Sequence, residues 1–375
     1  MTGAFLLALA GGGGCAAHKP EAAVAETHAT ADTGPKVILV TLDGMRWQEV
    51  FGGFDPLYAT KEAGGVGSKA TLERITKAFA RPSAEESRAA ILPFFWNVVA
   101  KQGQVFGDRG VKNVGRVTNP YKFSYPGYNE MLCGYPDPRI NSNEFAPNPN
   151  VTVLEWLNGR PGFAGQVAAY GAWTRLHEIV NDKRAGFPTV AGWQQIPSFA
   201  GVPLSERERV LNGLLARTTQ LWPDEPPDSF IKEAAIEYLT RHKPRVFYVS
   251  LGETDEWAHM RRYDLYLESA QRADAFIKRL WETVQSMPEY AGRTSLVITT
   301  DHGRGATPKD WTDHGAKTPG AEGWWAAVLG PRVPAKGVIG EGEETQSQIA
   351  ATVAGLVGQD YRAAVPKAAS GLLAP

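Results

Sequence analysis

Three stretches of the chain share one grammar. KVILVTLD (36–43), RVFYVSLGETD (245–255) and TSLVITTD (294–301) each run through an apolar stretch and end in an aspartate. A continuous apolar run, without polar alternation, marks a strand buried on both faces, as in sheets covered by helices on either side. Three such strands separated by helical patterns restrict the chain to an α/β architecture. In open α/β sheets the carboxyl ends of the strands carry the ligand site, so Asp43, Asp255 and Asp301 are expected along one sheet edge.

The intervening segments supply the covering layers. PFFWNVVAKQG (93–103) reads as an amphipathic helix closed by Gly103, QVFGD (104–108) as a short strand, VTVLEWLN (151–158) as a helix and GQVAAYG (165–171) as a strand. Apolar residues at three- and four-residue spacing predict helices over 206–222, over 228–242 and from about Asp264 to Met287. WWAAVLG (324–330) is a further buried strand, and the Gly-rich, then charged residues 52–89 read as a surface insertion. The expectation is a three-layer α/β/α sandwich around a central, largely parallel sheet, forming a single domain over 36–375.

A formal net charge of −1 with no basic block gives no footprint for a nucleic-acid polymer. Residues 1–15 hold a short apolar run, Phe5 to Ala10, then glycines and Cys15. The run is too short to span a bilayer and reads as an export signal, with small residues before Cys15 resembling a bacterial lipoprotein processing site. An exported protein follows, periplasmic or held to the membrane by a lipid anchor on Cys15, with residues 16–35 as a flexible tether. The second cysteine, Cys133, follows Met131 and Leu132 and reads as a small buried hydrophobe, so no intramolecular disulfide is expected. Tryptophans in GAW, AGW and EGWW suit either the walls of a pocket or the core.

FSYPGYNEMLCGYPD (123–137) supports two readings. In one, Ser124 caps a helix, Pro126 sits in its first turn and Gly134 ends it. In the other, Ser124 is a nucleophile at a helix N-terminus, where the dipole and free N–H groups favour an anion.

His259, His302 and His314 accompany the three aspartates, whereas His18, His28, His177 and His242 have no such context and read as structural. Mixed imidazole and carboxylate donors suit zinc better than magnesium or calcium. Six donors and a serine are too many for one tetrahedral ion and fit two, a pair ~4 Å apart being a known clamp for phosphoryl transfer.

In order, Asp43, Ser124, Asp255-x-x-x-His259, Asp301-His302-Gly303 and His314-Gly315 resemble the alkaline phosphatase superfamily. The likeness is closest to its nucleotide pyrophosphatase/phosphodiesterase-like branch, the type I phosphodiesterases, where a Thr-Phe-Pro at a helix head is followed by an apolar turn and Gly-Tyr-Pro. Here the match is Ser124-Tyr125-Pro126, then Gly134-Tyr135-Pro136, and it spans roughly 36–330. The resemblance implies Ser124 as nucleophile. It implies one zinc on Asp255, His259 and His314, and a second on Asp43, Asp301 and His302 with Ser124 as a further ligand. It also implies an asparagine that touches a phosphate oxygen, matched best by Asn143 with Asn141 as rival. The activity implied is hydrolysis of small phosphate monoesters or diesters through a phosphoserine intermediate.

Two departures stand out. The family's Asn-His after the proline is Gly127-Tyr128, and no clear counterpart exists for the arginine that grips a monoester, a role open to Lys122, Arg46 or Arg304. Related readings differ in specific residues. A sulfatase needs an arginine where Tyr128 stands. A cofactor-independent phosphoglycerate mutase needs a large domain between Ser124 and Asp255. A head-group phosphotransferase differs from a hydrolase only in excluding water, and a non-catalytic surface binding protein is expected to have lost a ligand or the nucleophile.

Overall fold

Strand β1 (Lys36–Leu42) runs through the middle of the molecule and sorts its side chains between two cores. Ile38, Val40 and Leu42 enter one apolar cluster, and Val37 and Leu39 enter the other. The structure, a computed structural model, describes residues 34–373 and Met1. The expected export signal, Cys15, His18, His28 and the tether up to residue 33 lie outside the described residues.

The described residues form an eight-stranded sheet of order β5-β4-β6-β1-β7-β8-β2-β9. Its members beyond β1 are β2 (Gln104–Phe106), β4 (Val167–Gly171), β5 (Thr189–Ala191), β6 (Val246–Leu251), β7 (Thr294–Thr299), β8 (Ala326–Leu329) and β9 (Gly337–Val338). Strands β5, β4, β6, β1 and β7 are mutually parallel, while β8 is antiparallel to both β7 and β2. The sheet is therefore mixed and mostly parallel. β3 (Asn113–Arg116) and β10 (Gly342–Thr345) pair separately.

Helices cover both faces. On the Val40 side lie Asp228–His242, through Ile231, Ala235 and Leu239, and Tyr263–Ser286, through Leu267, Ala270, Ile277 and Leu280. On the Leu39 side lie Ser124–Cys133, Val153–Asn158 and Gln348–Leu356. Burying both faces of the central strands is what the unbroken apolar runs demand.

Two expectations need correction. The segment 52–89 is not a surface excursion, because it folds into helices Lys61–Gly64, Lys69–Phe79 and Ala84–Ile91, and Tyr58, Ile75 and Phe79 join the core. Its charged residues lie on the outer face of an amphipathic layer. The helix expected over 206–222 stops at Leu215, and residues 216–227 form the connection to the helix Asp228–His242. Cys133 is free and fully buried, as expected of a small hydrophobe. Among the described residues no helix is long and apolar enough to cross a membrane.

Candidate metal centre and nucleophile

Each of the three central strands delivers an acid to the same edge. Asp43 follows β1, and its N–H is held by the Leu251 carbonyl at the end of β6 (2.9 Å). Beyond β6, Gly252 starts the short helix Glu253–His259, whose i, i+4 spacing puts Asp255 and His259 on one side. Asp301 and His302 follow β7, and His314 comes from the loop behind them.

The seven residues expected at the site do converge. Nε2 of His302 lies 3.4 Å from Asp43 Oδ1, 3.5 Å from Asp301 Oδ2 and 3.7 Å from Asp255 Oδ1. Nε2 of His259 is 3.0 Å from Asp255 Oδ2 and 2.9 Å from His314 Nε2, and the His302 and His314 rings stack at 4.1 Å. Two groupings of donors emerge, Asp43 with Asp301 and His302, and Asp255 with His302 and His314. His259 reaches the second through Asp255 and His314.

Asp43 Oδ1 and Asp301 Oδ2 are buried and have no hydrogen-bond partner, a costly state for carboxylate oxygens unless something positive meets them. Burial, and then the Asp43 charge, push the Asp301 carboxyl up to about 8. Burial disfavours the charge on His302, yet Asp301 and Asp43 outweigh it and raise the imidazole to about 9. Burial, followed by the charge of His302, lowers both His259 and His314, which favours the neutral imidazoles that bind metals. Crowded acids, orphaned oxygens and neutral imidazoles together fit a divalent cation.

Ser124 stands at the first residue of Ser124–Cys133, and its Oγ lies 3.3 Å from His302 Nε2. The capping reading fails here. Phe123, in extended conformation, is the N-cap, and no side chain caps this helix. The amide expectation also needs trimming, because Pro126 has no N–H and the Tyr125 N–H donates to Asn143 Oδ1 (3.0 Å). The helix dipole, more than free amides, is left to favour an anion at Ser124.

The departure at Gly127-Tyr128 has a packing reason that only the fold reveals. A Cβ on Gly127 would lie 2.4 Å from the Asp301 carbonyl oxygen, so glycine lets the serine helix press against the β7 exit. Tyr128 then points its hydroxyl into the centre, donating to Asp43 Oδ2 at 2.7 Å with Ser250 Oγ at 2.9 Å. Gly44, at φ +57°, donates its N–H to Asp301 Oδ1 (3.0 Å) and leaves no room for a side chain beside Asp255.

Of the substrate-contact candidates, Asn143 and Asn141 line a cleft of about 390 Å³ with Phe123, Ser142 and His314. The Asn143 oxygen is taken by Tyr125, so its amide NH2 is the group it can offer. Three cations prove committed elsewhere. Lys122 Nζ sits 3.3 Å from Glu322. Arg46 is fully buried against Glu49. Arg304 is fully buried too, bonded to the Asp255 carboxylate, and burial lowers its guanidinium to about 9. Spacing along the chain placed all three near the motifs but carried no sign of these partners.

The remaining described histidines are structural. His177 bonds Asp182 (2.6 Å) and Gln194 (2.9 Å), and His242 stacks on Tyr238 at 4.4 Å. Of the tryptophans, Trp324 and Trp325 are core, while Trp173 is half-buried beside Tyr128 with centroids 6.4 Å apart.

Residues 210–318 match the family model described as Metalloenzyme superfamily, a span that includes Asp255, His259, Asp301, His302 and His314. No curated protein sequence matches the chain. Among solved structures, the chain is similar to the lipoteichoic acid synthase LtaP from Listeria monocytogenes, with TM-score 0.53 and 11% identity, covering 88% of this chain and 73% of that one. It is similar to the phosphonate monoester hydrolase of Agrobacterium radiobacter, with TM-score 0.51, 13% identity and coverages of 86% and 74%. It is also similar to BT1596, a 2-O GAG sulfatase, with TM-score 0.51, 14% identity and coverages of 90% and 73%. The alkaline-phosphatase-like fold expected from the motifs is the fold observed, and the superfamily resemblance stands. These likenesses do not single out the nucleotide pyrophosphatase/phosphodiesterase branch.

Proposed function

We propose that the chain is a two-zinc hydrolase of small phosphate esters that works through a phosphoserine on Ser124. The observation that carries this reading is the placement of Ser124 Oγ 3.3 Å from His302 Nε2, the imidazole around which Asp43, Asp255 and Asp301 converge. Asp255, His259 and His314 would hold one ion, and Asp43, Asp301 and His302, with Ser124, the other. Bound there, such ions supply the Lewis-acid charge that lowers the serine pKa and offsets the phosphoryl oxygens.

The protein's own groups supply position. The Ser124 hydroxyl gives its proton to solvent as Oγ forms a bond to phosphorus in line with the ester oxygen, which leaves with the electron pair of the broken P–O bond and takes a proton from water. A second water then forms a P–O bond as the Ser124 Oγ–P bond breaks, one water proton goes in net to the departing serine oxygen, and phosphate or a phosphomonoester is released. Asn143 offers its NH2 to a non-bridging oxygen, while its own oxygen is fixed on the helix that carries Ser124. Tyr128 holds Asp43 in one orientation.

Tyr128 also weighs against a sulfatase, since it fills the place where that reading needs an arginine and is built into the centre. Residues 1–15 as an export signal, and Cys15 as a lipid anchor in a bacterial envelope, complete the proposal.

The deciding experiment compares kcat/KM of zinc-loaded protein on an aryl phosphate monoester, a diester and a sulfate, alongside elemental analysis. The expected result is about two zinc ions per chain and phosphate esters ahead of sulfate, with the diester first. A sulfate preference, or one calcium and no zinc, sinks the reading.

A further inference from the structure

Arg304 is an odd neighbour for a metal centre. It follows the Asp301-His302-Gly303 motif, is completely buried, and bonds the Asp255 carboxylate and the Asp255 carbonyl oxygen (3.1 Å) through Nη2. Nη1 donates to the Thr312 carbonyl at 2.6 Å, and Nε is buried without a partner. Gly44 closes the remaining side, for a Cβ there would lie 2.8 Å from Arg304 Nε and 2.6 Å from Asp255 Oδ1. The guanidinium is therefore walled in. It cannot swing out to grip a substrate, and although the Asp43 charge also acts on it, its hydrogen bonds to the centre all go to Asp255.

Those hydrogen bonds fall unevenly. Asp43, Asp301 and His302 carry two carboxylates on one cation site, and no Arg304 hydrogen bond reaches them. The other set, Asp255, His259 and His314, has one carboxylate, and Arg304 already holds an oxygen of it. An ion arriving there meets two imidazoles and a shared carboxylate, and it meets the repulsion of a guanidinium fixed by its own hydrogen bonds.

Resting on the two-metal reading above, we infer that the centre binds its two ions unequally. The ion on Asp255, His259 and His314 is the weak one, and Arg304 is the positioning residue that weakens it by holding Asp255. Arg304 thus sets metal occupancy, which is a different role from gripping the phosphate.

The test is calorimetric titration of metal-free protein with zinc, supported by equilibrium dialysis and metal analysis. Wild type is expected to show two steps whose dissociation constants differ by about tenfold or more. His259→Ala should lose the weaker step and keep the tighter one. Arg304→Met should tighten the weaker step and narrow the gap, and Arg304→Lys, which keeps the charge, should preserve most of it. Should the methionine variant not fold, Arg304→Gln places a neutral hydrogen-bonding group in the same hole and is read in the same way. Two ions of equal affinity in wild type overturn the inference alone, as does a gap unchanged in both neutral variants. Failure to bind any divalent ion overturns the two-metal reading, and the inference with it.

Discussion

Tyr128 Oη donates to Asp43 Oδ2 at 2.7 Å from a fully buried position, so a helix on one face of the sheet orients an acid at the end of its central strand. The other Asp43 oxygen is left to face His302. Tyr128→Phe keeps the ring and removes the hydroxyl, freeing the carboxylate to rotate. Partners of metal-ligating carboxylates typically matter by about 10–100-fold in metal affinity or activity. A fall of that size in zinc retention on dialysis is expected, with little change in melting temperature. Unchanged retention would mean that Asp43 is fixed by its backbone alone.

Ser124→Ala should fold as well as wild type. Ser124 is not the cap of its helix, so even the ~1 kcal/mol normally lost with a cap stays in place. Turnover should nevertheless fall to near zero, and no phosphorylated protein should be trapped on acid quenching, because the covalent route needs that oxygen. An alanine variant retaining most of its turnover would assign the attack to water.

Arg46 and Glu49 form a buried pair. Nε and Nη2 of the arginine donate to the two carboxylate oxygens at 2.9 and 2.8 Å, and Nη1 reaches the Gly305 carbonyl at 3.1 Å. Tyr58 and Trp311 flank the guanidinium. Arg46→Met strands Glu49 and should cost about 3–5 kcal/mol in denaturant unfolding. The double variant Arg46→Met, Glu49→Leu should regain much of that. A double variant no better than the single would show that the pair's aromatic surroundings depend on the charge itself.

Asp274 gives a pH dependence with a definite sign. Its carboxylate accepts the N–H groups of Phe94 (2.7 Å) and Phe95 (2.9 Å), yet burial outweighs these bonds and raises it from 3.8 to about 7. The folded state holds the proton more tightly than the unfolded chain. Its contribution to stability is therefore complete below pH 3.8 and disappears as pH rises through about 7. Urea midpoints of wild type minus those of Asp274→Asn should decline across that window. A flat difference would place the ionised form comfortably on the two amides.

The sheet core and the chemistry at its edge were legible in the sequence because both depend on local pattern. Unbroken apolar runs marked β1, β6 and β7, and the acid that ends each one marked the edge. What escaped depends on partners distant in the chain. Residues 52–89 look like a loop until their apolar side is set against Tyr263 and Trp311. The antiparallel β8 cannot be told from a parallel strand by composition, since its WWAAVLG run is as apolar as the others. Arg46 and Arg304 looked available to substrate because nothing in their neighbours along the chain announces Glu49's burial or the Asp255 contact. Gly127 looked like an unexplained departure, and only the Asp301 carbonyl accounts for it.

The His259 side chain is 41% exposed, so the centre opens to solvent on the side of the ion that would steady the departing group. An alcohol released there mixes with the medium, and any acceptor that comes back is drawn from the same medium as water. Choice between hydrolysis and transfer to an alcohol then becomes a matter of bulk competition. The serine proposed as nucleophile would give more transfer product as the surrounding solution grew richer in hydroxyl compounds, with no change in the protein.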